Sequence, residues 1–143
     1  MHTIKKAERS DLAWINTMYK NIDFKASHFK NEHIVIAQVD NQNAGLGRLV
    51  FIDDQNIELG GIYVFEGYRG LKIADLIVST LLKENPFLNS TIWCLPFQNL
   101  KSFYSKFDFK ENLDLIPPEK VTQKLNWCNS NYITKTLLLS KRK

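Results

Sequence analysis

The stretch "GYRGLKIADLIV", Gly67 to Val78, decides how the chain is read. It follows an apolar run, Ile57 to Phe65, and opens an amphipathic one. The spacing predicts a helix over 70–83. Lys72, Asp75, Ser79 and Lys83 make one polar stripe, and Ile73, Ala74, Ile77, Val78, Leu81 and Leu82 cover the rest. Asn85 before Pro86 ends it. The first amides of a helix lack carbonyl partners, and the dipole adds roughly half a positive charge there. Gly70 lets a ligand approach the backbone, while Arg69 and Lys72 bring full charges. Residues Arg69 to Ala74 therefore read as an anion cradle suited to a pyrophosphate. It is no P-loop, since no Gly-Lys-Ser/Thr follows, and no dinucleotide fingerprint, since the Gly-x-Gly-x-x-Gly spacing is missing. Gly45-Leu46-Gly47 lies inside a strand-like run and opens no helix.

Outward from this junction the pattern is mixed. Upstream, His33 to Val39, Ala44 to Ile52 and Ile57 to Phe65 read as strands joined by polar turns at Asp40–Asn43 and Asp53–Asn56, an antiparallel meander. Within the third run Ile57 and Leu59 are apolar at odd positions, Ile62 and Val64 at even ones. Gly60-Gly61 between them is suited to a bulge that switches parity. Thr3 to Lys6 suits a short strand. Ser10 reads as the N-cap of a helix over Asp11 to Tyr19, with Leu12, Ile15 and Tyr19 on one stripe, and Ala26 to Lys30 suits a short helix. Downstream, Thr91 to Cys94 reads as a strand, and Leu100, Phe103, Tyr104 and Phe107 as the stripe of an amphipathic helix. Phe109 to Leu113 suits a strand. Pro117-Pro118 opens a helix through about Leu125, and Tyr132 to Leu139 closes the chain as a strand. The expected class is α/β (α+β): one domain over residues 1–143, with a mixed, mostly antiparallel central sheet flanked by helices on both faces.

Composition narrows function only coarsely. The net charge is +4, but 15 acidic residues offset 19 basic ones, so anionic ligands are favoured without a nucleic-acid signature. The basic end Lys141-Arg142-Lys143 is expected to be a solvated tail. Cys94 and Cys128 give neither a disulfide framework nor a metal spacing, and are read as free thiols; no metal is expected. No apolar signal core and no long apolar run occur, so neither a membrane nor export is expected, and the expected setting is cytoplasmic.

The order of elements changes the reading of Arg69–Ala74. A strand with a bulge, an Arg-Gly turn, a helix, a strand and then a helix bearing Asn and Tyr resembles the GNAT family of N-acyltransferases, which use acyl-coenzyme A. The family's Arg/Gln-x-x-Gly-x-Gly/Ala motif is filled here by Arg69, Gly70, Leu71, Lys72, Ile73 and Ala74, with Lys72 where the first motif glycine usually stands. "NLKSFYSKFDF", Asn99 to Phe109, is similar to the family's Asn…Tyr-x-x-x-Gly-Phe helix end, with Asp108 in place of glycine.

The resemblance implies acetyl-CoA as cosubstrate and direct attack of a neutral amine on its thioester. The amides of Arg69, Gly70, Leu71, Lys72, Ile73 and Ala74 would hold the pyrophosphate. The edge of Ile62, Tyr63 and Val64 would pair with the pantetheine arm like an added strand, and an amide there would face the thioester oxygen. Asn99 would bind pantetheine or its neighbourhood. Tyr104 would protonate the leaving thiolate, and Glu58 would serve as general base for the amine. His28, His33, Trp14, Tyr19, Phe24 and Phe29 fall where the family's acceptor pocket forms, and core packing explains them equally well. "KLNWCN", Lys124 to Asn129, reads as structural. The partners implied are acetyl-CoA and a small-molecule or peptide amine, with no nucleic acid; a homodimer through the last strand is compatible with the sequence. Two other readings fit the residues. One is a GNAT-like module that binds coenzyme A without turnover; the other is a small nucleic-acid-binding α/β domain.

Overall fold

The computed structural model describes residues 1–142. The strands are β1 (His2–Lys6), β2 (Glu32–Val39), β3 (Gln42–Asp53), β4 (Asn56–Val64), β5 (Thr91–Cys94) and β6 (Leu139–Lys141). The helices are α1 (Leu12–Asn21), α2 (Ile73–Lys83), α3 (Lys101–Ser105) and α4 (Glu119–Asn131). The strands form one sheet in the order β1-β2-β3-β4-β5-β6. It is mixed: β1–β2, β2–β3 and β5–β6 pair antiparallel, and β4–β5 pair parallel. Among the described residues no helix is long and apolar enough to cross a membrane. The chain clusters into two compact units. The first holds Met1–Val50 and Gly60–Pro86; the second holds Phe51–Leu59 and the chain from Phe87 onward.

In the first unit, Asp40 and Asn41 take φ of 49° and 67°, the left-handed pair that a two-residue hairpin turn needs. Strand alternation then sorts the side chains. Ile34, Ile36 and Leu46 share one face and are buried with Ala7, Ile15 and Tyr19. Val35 and Ala37 lie on the other face, opposite Gly47 and Gly45. A Cβ on Gly47 would come within 2.5 Å of both Ile62 Cδ1 and Ile77 Cγ2, and one on Gly45 within 2.7 Å of the Tyr63 carbonyl oxygen. The two glycines therefore let α2 lie directly on the strands. Helices α1 and α2 cover opposite faces of the β2–β3 pair.

A buried ion pair ties this unit together. Arg48 Nη1 lies 3.3 Å from Glu32 Oε1, with side chains only 8% and 5% exposed. The Glu32 carboxylate also accepts from Ser27 Oγ (2.5 Å) and the His28 amide (2.8 Å), and Arg48 Nη2 donates to the Lys25 carbonyl (2.8 Å). The guanidinium lies 4.4 Å from the Tyr19 ring centroid. The Tyr19 phenol donates to the Gly61 carbonyl at 2.9 Å. Gly61 has φ +60°, the left-handed conformation that the expected glycine bulge uses.

In the second unit β5 buries Ile92, Trp93 and Cys94, and α4 buries Val121 and Cys128. The Asn129 side chain bonds both the amide and the carbonyl of Thr136 (2.8 and 3.1 Å), fixing the segment after α4. Asn112 Nδ2 donates to the Ser140 carbonyl (3.0 Å) and hydroxyl (2.8 Å).

Several expected elements differ. Glu8, not Ser10, caps the first helical turn, in a reciprocal box with Asp11. No helix forms at 26–30, because Ser27 and His28 turn toward the Glu32 carboxylate instead. The helix expected from Gly70 starts at Ile73. The stripe around Tyr104 yields only the short α3, with Tyr104 buried and Leu100 exposed. Phe109 to Leu113 contributes a single bridge, Lys110 to Ser140. The helix expected to end near Leu125 continues to Asn131 with Pro118 as its N-cap, so "KLNWCN" is helical. The last strand begins at Leu139. The basic end is less free than expected: Arg142 Nη2 reaches both Asp114 oxygens (2.6 and 2.7 Å), and Lys141 lies 3.6 Å from Asp108; Lys143 lies outside the described residues.

Two stability measurements follow from the first unit. Arg48→Met leaves the Glu32 carboxylate buried without its cation, and should lower urea-unfolding stability by about 3–5 kcal/mol. Arg48→Met combined with Glu32→Gln should recover much of that loss. His33 is buried with no hydrogen-bond partner on Nε2, and Glu84 Oε1 is 3.9 Å away. Burial, then Lys6, lowers its pKa, against an opposing pull from Glu84. The fold thus prefers the neutral ring. Stability should be flat above pH about 6.5 and fall on acidification below it, as the unfolded chain takes up the proton first. A pH series of urea midpoints should show this slope, and His33→Gln should flatten it.

Candidate active site

The expected anion cradle, Arg69 to Ala74, belongs to the first unit. β4 ends at Val64, and 65–72 cross to α2 in turns and bends. Phe65 N donates to the Ala44 carbonyl, so the amides and carbonyls of Ile62 and Val64 point to the edge away from β3. The parallel register with β5 ends at Leu59 opposite Cys94. Arg69 folds back on this strand end: its Nε donates to the Val64 carbonyl (3.1 Å), its Nη2 reaches the Tyr63 hydroxyl (3.4 Å), and the guanidinium lies 5.6 Å from the Tyr63 ring centroid. One carbonyl of the expected pantetheine edge is therefore already engaged by Arg69.

The amides of Arg69, Gly70, Leu71, Lys72, Ile73 and Ala74 have no backbone acceptor among the described residues, and the side chain of the N-cap residue, Lys72, makes no capping hydrogen bond. Gly70 has φ +82° with open space around it. Ile73 anchors the turn by burying its side chain, while Arg69, Gly70, Leu71 and Lys72 are exposed. Lys72 is the N-cap at φ +61°, ψ 30°, the left-handed region. The family motif has glycine there, and the lysine adopts the glycine conformation. Its side chain is exposed.

The proton-transfer candidates lie in the second unit. Tyr104 is 6% exposed on α3, and its hydroxyl hydrogen-bonds the buried thiol of Cys94. Burial pushes the phenol's pKa well up, reinforced by Cys94. Burial likewise pushes the Cys94 thiol up, so both hold their protons near neutral pH. Glu58 lies between the fully buried Ile57 and Leu59, at the opposite parity. Its carboxylate is 13% exposed and accepts a 2.6 Å hydrogen bond from Lys124 Nζ, whose side chain is 43% exposed. Asn99 is exposed on the 3-10 turn Gln98–Leu100.

The structure thus brings Glu58, Lys124, Cys94 and Tyr104 into one unit, and the sequence reading missed Lys124 and Cys94 as partners. A signal for Lys124 existed. It lies three residues after Val121 and four before Cys128, so it interrupts the buried face of α4. Of the acceptor-side candidates, Tyr19 is committed to Gly61, His33 is buried, and Phe24 stacks on Tyr19 at 5.9 Å. Among the described residues no group of His, Cys, Asp and Glu is clustered to hold a metal.

Lys72 gives a test of the loop. A left-handed L-residue costs about 1–2 kcal/mol. Glycine removes that strain but returns about 0.4–1 kcal/mol of unfolded-state freedom. Lys72→Gly should therefore raise urea-unfolding stability by about 1 kcal/mol or less, whereas Lys72→Val should lower it.

Comparison with known proteins agrees with this geometry. Residues 30–111, more than half of the chain, match the family model described as acetyltransferase (GNAT) domain. A search of curated proteins gives no significant match. Among solved structures, N-acetylglutamate synthase from Neisseria gonorrhoeae, complexed with coenzyme A and L-arginine, superposes with a TM-score of 0.71 at 14% identity. The match covers 99% of this chain and 33% of the synthase, so the chain spans about a third of that protein's length. Rv2747 from Mycobacterium tuberculosis, in complex with CoA and NLQ, gives 0.75 at 16% identity over 99% of both chains. A GNAT family acetyltransferase from Elizabethkingia anophelis with acetyl-CoA bound gives 0.66 at 18% identity, over 99% of this chain and 98% of that one. With the family match running across the strand-loop-helix junction that ends β4 and opens α2, the chain belongs to the GNAT acetyltransferase family.

Proposed function

We propose that the whole chain works as one N-acetyltransferase domain, moving the acetyl group of acetyl-CoA to a primary amine of a small molecule or peptide by direct attack in a ternary complex. The observation that carries this is the run of amides from Arg69 to Ala74 that have no backbone acceptor among the described residues, at the start of α2 and beside an arginine. Those amides and Arg69 bind the pyrophosphate, and Lys72 adds charge from the surface. The free edge of Ile62, Tyr63 and Val64 takes the pantetheine arm, and an amide there faces the thioester oxygen, a donor worth about 2.7–4 kcal/mol when preorganised. Asn99 contacts the arm from its exposed turn.

Tyr104 supplies the proton for the leaving thiolate. Burial raises its pKa, which keeps it protonated near neutral pH. Glu58 takes the proton of the amine, with Lys124 as the cation it exchanges for the acceptor. Two free, buried cysteines fit a reducing cytoplasm. The second reading, a coenzyme A-binding module without turnover, is favoured by the same pairings, since Tyr104 and Glu58 are each occupied within the chain.

Calorimetric titration with acetyl-CoA should show micromolar binding, weakened at least tenfold in Arg69→Glu, about 1.4 kcal/mol. Thiol release with a panel of primary amines should then fall about 10²- to 10⁴-fold in Tyr104→Phe. Binding with no thiol release for any amine would favour the non-catalytic module. No binding at millimolar acetyl-CoA would overturn both readings.

A further inference from the structure

The Lys124 amine is held 2.6 Å from Glu58, and the pair belongs to the same unit as Tyr104 and Cys94. In the β4–β5 register Leu59, next to Glu58, lies opposite Cys94, whose sulfur meets the Tyr104 hydroxyl. Both Glu58 and Lys124 act electrostatically on that sulfur. An amine, a carboxylate and a phenol are the groups that acyl transfer to nitrogen requires, and here the chain supplies the amine itself. Lys124 is 43% exposed, so a thioester from solvent can reach it while its ammonium stays on the carboxylate.

We propose that Lys124 is a site of intramolecular acetylation, its ε-amine filling the acceptor's place beside Glu58. The inference rests on the acetyl-CoA reading above. The Lys124 ammonium gives one proton to Glu58. The neutral amine attacks the thioester carbonyl carbon, a C–N bond forms and the C–S bond breaks. The thiolate takes the Tyr104 proton, and the second nitrogen proton passes to the Tyr104 phenolate. Glu58 then re-equilibrates with solvent, so each turnover leaves one acetyl-lysine, one free thiol and one released proton. The product carries no charge at Lys124, and Glu58 is left without its cation.

The test is to incubate the purified full chain with acetyl-CoA alone and map acetyl groups by tandem mass spectrometry over time, with acetyl-CoA binding followed by calorimetry on the same protein. Lys120, exposed one turn earlier on α4, reports background chemical acetylation. Lys124 should be labelled more than ~10-fold faster than Lys120, as expected for a positioned amine. The rate should not depend on protein concentration, and both Glu58→Gln and Tyr104→Phe should slow it. Lys124→Arg, which keeps the cation, should lose this label, and its circular dichroism checks the fold. If acetyl-CoA binds but Lys124 is labelled no faster than Lys120, or only in proportion to protein concentration, the inference falls and the function reading stands. If acetyl-CoA does not bind, both fall.

Discussion

A carboxylate and a guanidinium taken out of water together cannot be left half made. Arg48 and Glu32 are in that position, and much of the first unit is arranged to complete them. The remaining carboxylate capacity of Glu32 is taken by Ser27 and His28, and a second guanidinium arm by the Lys25 carbonyl. These bonds fix a segment that has no helix or strand of its own. The guanidinium face rests on Tyr19, and the Tyr19 phenol holds the carbonyl of Gly61. A polar chain thus runs from an irregular loop to Gly61 in β4. An unpaired ion at its centre would cost more than any single hydrogen bond in it contributes.

That chain bears on the proposed chemistry because the strand it steadies is the one whose end leads into the proposed anion cradle. Beyond Gly61 come Ile62, Tyr63 and Val64, then the turn whose amides have no backbone acceptor among the described residues. The turn itself carries strain: Lys72 sits in a conformation that L-residues avoid, at the position where the family has glycine. The buried side chain of Ile73, one residue later, holds it there. In the second unit the electrostatic logic is different. Tyr104 and Cys94 share burial, which keeps both protonated, whereas Glu58 keeps a cation at hydrogen-bond distance. The groups proposed as proton donor and proton acceptor thus sit in different surroundings, one buried beside a thiol and the other against an ammonium.

What could be read in the sequence was whatever is local. The meander of β2, β3 and β4, the strand at Thr91–Cys94 and the wet and dry faces of α2 follow from alternation and 3.6-residue spacing, and they match the structure. Arg69–Ala74 was legible for the same reason, since a strand, a glycine turn and a helix lie next to each other in the chain. The stripe of Leu100, Phe103, Tyr104 and Phe107 misled. Its period is helical, but the helix stops at Ser105, so Leu100 stays exposed and Tyr104 is buried. Likewise the loop after α1 looked helical because the bonds that unwind it come from Glu32. Pairs such as Lys124 with Glu58, or Tyr104 with Cys94, join residues from different elements. No periodicity within one element encodes which distant side chain will meet it.

Two kinds of glycine in this chain forbid a side chain for unrelated reasons. At Gly47 the obstacle is volume: an added Cβ must displace α2 or Ile62. At Gly70 space is open and the obstacle is handedness, since the backbone takes a φ that L-residues rarely adopt. An alanine at Gly70 would therefore touch nothing and still strain the backbone, whereas at Gly47 it would collide with its neighbours. The contact of α2 with the sheet is a matter of distance, while the loop that precedes α2 is a matter of chirality.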